Sequence, residues 1–70
     1  MELNICIEVG KNIRKFRKKC GYTQEKLAEL TKIDYKYLQK IEGKNPPNIK
    51  IETIAKLAKT LAVDPSKLLP

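Results

Sequence analysis

The side chains in this chain that could do chemistry are basic, amide and phenolic groups rather than acid–base pairs or metal ligands. There is no histidine, and the eight Asp and Glu residues are scattered. General acid–base catalysis wants a histidine or two convergent carboxylates. Most of the acids read instead as helix caps or as partners of a lysine one turn away, and no glycine-rich phosphate loop is present. The reading is therefore a non-enzyme, with no catalytic residue, metal or cofactor. Cys6 and Cys20 lie 14 residues apart in a helical pattern, about 21 Å along one helix. A disulfide needs Cα atoms within roughly 7 Å, and two isolated thiols make a poor zinc site. Both are expected to be reduced, small core residues of a cytoplasmic protein. The one cluster of converging donors is Tyr35, Lys36, Gln39 and Lys40. On a helix these residues face away from Leu38 and Ile41, so the segment is apolar behind and hydrogen-bonding in front. That division suits a helix laid into the major groove of DNA. Lys36 or Lys40 can donate to guanine O6 and N7, and Tyr35 can pack on a thymine methyl. The plainer reading is that either lysine touches only phosphate.

The elements that must position this cluster can be read from caps and periodicity. Thr23 and Asp34 each open a short helix by accepting from first-turn N–H groups. Each is preceded by an apolar residue matched five positions later, Tyr22 with Leu27 and Ile33 with Leu38, the spacing of a hydrophobic staple. Helices of about 23–31 and 34–42, so close in sequence, form a helix-turn-helix pattern over 23–42. Before them, Cys6, Val9, Ile13, Phe16 and Cys20 fall on one stripe of a helix over 5–20. Lys11, Arg14, Lys15 and Lys18 lie opposite and read as a solvated face, and Gly21 ends the helix. After them, Gly43 to Lys50 is loop, since Pro46 and Pro47 deny helix. A fourth helix over 50–61 turns Ile51, Ile54, Leu57, Ala58 and Leu61 inward. Val63, Asp64 and Pro65 then repeat the cap-and-staple opening, with Val63 paired to Leu68 and Pro65 at the favoured first position. This predicts a short fifth helix.

Seventy residues suit one small domain, residues 1–70, whose core supplies only a few kcal/mol of net stability. Fifteen Lys and Arg against eight Asp and Glu give a formal charge of +7, which favours a polyanionic partner. No apolar run approaches the ~20 residues that span a bilayer. The stretch from Leu3 to Val9, interrupted by Glu8, is too short for a signal peptide. No membrane association is expected.

The segment TQEKLAELTKIDYKYLQKIEGK, with VGKNIRKFRKKCGYTQ before it and ETIAKLAKTLAVDPSKLL after it, resembles the lambda-repressor-like DNA-binding family of the Cro and phage-repressor type. The resemblance covers about residues 9–69. It implies an all-α, compact five-helix bundle acting as a sequence-specific transcriptional regulator on double-stranded DNA, with the helix at 34–42 in the major groove. Carried over by position, it makes Tyr35, Lys36, Lys40 and Gln39 the base readers. It assigns backbone contacts to Gln24, Tyr37, Lys44 and Asn45. Arg17 and Glu42 resemble the pair that ties the first helix to the end of the third, with Arg17 also near phosphate. The chain departs from the family at Lys32, where glycine is usual, and in the length and proline placement of the 43–50 loop. A lysine held in the left-handed conformation there costs roughly 1 kcal/mol, so a slightly reshaped turn is expected.

A weak homodimer on a two-fold site is expected, because useful affinity generally takes two modules. Leu68 and Leu69 are the expected dimerisation residues, with help from the fourth helix. No small-molecule ligand is expected. Two other readings stay open: a protein-interaction module of antitoxin or adaptor type, and a non-specific nucleic-acid binder. A restriction-modification controller is one plausible subtype.

Overall fold

A computed structural model describes residues 4–70; residues 1–3 of the expected 1–70 domain lie outside the described residues. Four α-helices occur among them: α1 (Ile5–Lys19), α2 (Gln24–Thr31), α3 (Tyr35–Ile41) and α4 (Ile51–Leu61). The expected fifth helix is a correction. Pro65–Leu68 is a four-residue 3₁₀ turn, closed by i→i−3 bonds from Lys67 N–H to Asp64 O and Leu69 N–H to Ser66 O. Leu69 is extended (φ −88°, ψ 152°), as the proline after it demands. That leaves no room for an α-helical turn.

Local chemistry sets the helix starts. Asn4, Thr23 and Asp34 each accept from the N–H three residues on, at 3.2, 3.0 and 3.1 Å. Asp64 accepts from Ser66 N–H at 2.9 Å. That bond, with help from the Ser66 side chain and Lys67, holds the Asp64 carboxyl below the ordinary carboxylate range despite slight desolvation. Before α4, Lys50 caps without a side-chain bond. Three helix ends share one solution, a left-handed residue with a bond from the next N–H back five residues. These are Gly21 (φ 75°), Lys32 (φ 58°) and Ala62 (φ 59°), with Tyr22, Ile33 and Val63 donating to Arg17, Ala28 and Ala58. The α2–α3 turn thus keeps the left-handed geometry with Lys32 in it, and is not reshaped.

The core is Val9, Ile13, Leu27, Ala28, Leu38, Ile41, Leu57, Ala58, Leu61 and Leu68. Tyr22, Ile33 and Val63, the outer members of the three staples, are half-buried against it. α2 packs on α3 and α4, while α1 crosses α3, α4 and the C-terminal turn. Asn12 Nδ2 donates to Leu68 O at 3.0 Å, tying that turn to α1.

Four expectations about burial need correcting. Cys20 is exposed at the end of α1 and Cys6 is only half-buried; both are free thiols. The buried side of α1 runs instead through Val9, Gly10, Ile13 and Arg17, because α3 covers that flank. Ile51 is 83% exposed. The first turn of α4 overhangs the core, and Ile49, at the end of the preceding loop, packs there instead. Leu68 is completely buried under α1 and α4, so it offers no dimerisation surface; Leu69 remains 46% exposed. No correction is needed on α2, where Thr31 is buried beside Leu27 and Ala28 and Leu30 is exposed. The Thr31 hydroxyl donates to Leu27 O at 2.7 Å.

Candidate nucleic-acid interface

α3 is only seven residues long, too short to hold a shape alone. Its rigidity comes from both ends and from its back. Asp34 fixes the start, while Leu38 and Ile41, both fully buried, fix the back. Opposite them Tyr35, Lys36, Gln39 and Lys40 are all exposed. The four expected base readers therefore share one outward surface of one anchored helix.

The end of α3 is held by a buried polar knot. Glu42, the residue that terminates the helix, accepts from Arg17 Nε through Oε2 and from Arg17 Nη2 through Oε1, each at 2.9 Å. The guanidinium also donates from Nη1 to Tyr22 O at 2.8 Å. Two parallel bonds between planar groups are the strongest form of this contact. The Arg17 and Glu42 side chains are 11% and 2% exposed. Such a pair is costly to break once formed. Three of the five N–H donors of the Arg17 guanidinium are engaged inside the fold and its side chain is 11% exposed, so Arg17 serves the scaffold.

Gln24 opens α2 and is half-buried. Its Nε2 donates to Glu42 Oε1 at 3.2 Å, so the residue expected at the DNA backbone is oriented by the same carboxylate. An amide nitrogen carries two donors, which leaves one for an outside acceptor. The knot thus joins α1, the α2 start and the α3 end through one carboxylate. Tyr37 is half-buried, its hydroxyl 3.5 Å from Asn48 O at the edge of hydrogen-bonding reach. Lys44 and Asn45 are exposed at the start of that loop.

One structural residue escaped the sequence reading. A Cβ placed on Gly10 would overlap the carbonyl oxygen of Ile41. The missing side chain lets α1 lie against the last turn of α3, next to Glu42. A glycine inside an otherwise regular helical pattern was the available signal.

The arrangement has counterparts. A family model described as a helix-turn-helix domain matches residues 10–70. The restriction-modification controller protein C.AhdI from Aeromonas hydrophila is 32% identical and superposes with a TM-score of 0.83, over 90% of this chain and 94% of that one. A hypothetical transcription factor, NHTF from Neisseria, is 33% identical with a TM-score of 0.89, over 96% and 76%. SinR, a master regulator for biofilm formation solved in complex with DNA, is 32% identical with a TM-score of 0.81, over 86% and 95%. No curated protein matches significantly. One family accounts for nearly the whole chain, and the protein belongs to the lambda-repressor-like helix-turn-helix family of DNA-binding transcriptional regulators.

Proposed function

We propose that the chain acts as a single helix-turn-helix domain that reads double-stranded DNA sequence, with α3 in the major groove. The observation that carries this reading is the anchored polar face of α3: Leu38 and Ile41 are fully buried while Tyr35, Lys36, Gln39 and Lys40 are exposed. A rigid helix with donors on one side meets the geometric demand of the groove. Gln24, Lys44 and Asn45 flank it as backbone contacts, which set register without specifying sequence. The SinR relative, whose complex contains DNA, supports the same use of the fold here. No helix among the described residues is long and apolar enough to cross a membrane, and no cluster of His, Cys, Asp or Glu suited to a metal is found among them.

The working unit on DNA is a two-fold dimer with recognition helices about 34 Å apart. With Leu68 in the core, Leu69 is the exposed apolar residue of the C-terminal segment left for self-association. Selection of bound duplexes from a random pool tests the reading. A palindromic motif with half-sites about one helical turn apart supports specific dimeric binding. Enrichment of no motif, with a steep salt dependence, would leave only charge-driven binding.

A further inference from the structure

Read from the sequence alone, Lys11 and Arg14 belong to a solvated face of α1. The fold sets them across from Lys44, at the start of the loop that follows α3. With Ile7, Glu42 and Gly43 the three line an open groove of about 440 Å³. The one acid among the six is already neutralised, since both Glu42 oxygens accept from Arg17 and its side chain is 2% exposed. Lys11 is 70% exposed and meets Glu8 only at 3.9 Å, a surface pair worth little. Among the described residues, the groove therefore carries three cations with no effective counter-charge.

We propose that Lys11, Arg14 and Lys44 clamp one backbone phosphate of the duplex that α3 reads. The inference rests on the DNA-binding function proposed above. The shared ligand chemistry is a phosphate, and its source is the DNA backbone. An open groove without a buried donor holds a free phosphate poorly. A phosphodiester already tethered by the recognition helix arrives at high effective concentration and gains from counterion release.

The test compares wild type with Lys11→Gln/Arg14→Gln on a duplex selected from the random pool and on a scrambled duplex. The double variant should lose about tenfold in affinity on both, with its log K against log salt slope shallower by about one. Ethylation interference should reveal one phosphate whose modification weakens wild type but not the double variant. Lys44→Gln, on a separate element, should lose sensitivity to the same phosphate, and Lys11→Arg/Arg14→Lys should restore binding. Wild-type affinity, slope and interference in the glutamine variant would overturn the groove, even if Lys36→Ala/Lys40→Ala abolishes binding as the recognition-helix reading requires. Competition by inorganic phosphate at millimolar concentration, with no lost ethylation site, would show a free-anion site and overturn the DNA assignment. Wild type that binds no duplex at all would overturn both readings together.

Discussion

Replacing either member of the buried Arg17–Glu42 pair should cost more stability than any single change of a surface polar residue. In Glu42→Leu the guanidinium loses two bonds of 2.9 Å and keeps only the one to Tyr22 O. Its side chain is 11% exposed, so little water can replace the carboxylate. In Arg17→Met, Glu42 keeps only the Gln24 contact at 3.2 Å while 2% exposed. Stranding a buried charge costs about 3–5 kcal/mol. A chain of 70 residues has about 4–10 kcal/mol in total, so each single variant sits close to unfolding. At about 4–8 °C per kcal/mol for a domain this size, the melting temperature should fall by more than about 10 °C. The double variant removes both charges and fills the site with apolar volume. It should therefore cost at least ~2 kcal/mol less than the sum of the singles. Urea unfolding of all four proteins measures the cycle, provided the slope with denaturant stays constant. Singles within about 0.5 kcal/mol of wild type, combined additively, would refute the reasoning.

Lys36→Ala and Lys40→Ala should leave the melting temperature unchanged and weaken DNA binding; a base reader should cost about 1–3 kcal/mol and relax preference at one position, read by selection on the variant. Lys32→Gly and Ala62→Gly relieve positive φ values of 58° and 59°, so each should raise stability by up to about 1 kcal/mol; a loss of stability on urea unfolding would contradict the strain. The depressed Asp64 carboxyl contributes stability above its unfolded pKa and loses it as pH falls through the lower folded value. The melting-temperature gap between wild type and Asp64→Asn should therefore be full near neutral pH and narrow in strong acid, whereas a gap constant with pH would count against the cap. Leu69→Glu should keep the fold and abolish cooperative binding to paired sites, while Leu68→Glu, in the core, should unfold the chain; equal, mild effects on thermal melts would reverse that assignment.

What the sequence by itself determined is the part governed by neighbours in the chain. Thr23, Asp34 and Asp64 cap because the groups they accept from lie two or three residues away, and the staples follow the same short range. The outward face of α3 was legible because the buried pair Leu38 and Ile41 defines the other side of a short helix. Arg17 and Glu42, 25 residues apart, were paired through the family resemblance rather than through spacing. Tertiary packing decided the rest. Periodicity marks an apolar stripe but does not say which neighbour covers it, or how far the cover extends. So Cys20 and Ile51 continue their stripes yet lie beyond the edge of the core, and Ile49 packs against it from a loop. Leu68 and Leu69 are chemically alike and adjacent, and only the turn forced between Asp64 and Pro70 buries one and exposes the other. Lys11, Arg14 and Lys44 share a groove because Gly10 lets α1 approach Ile41, a contact between residues 31 apart in the chain.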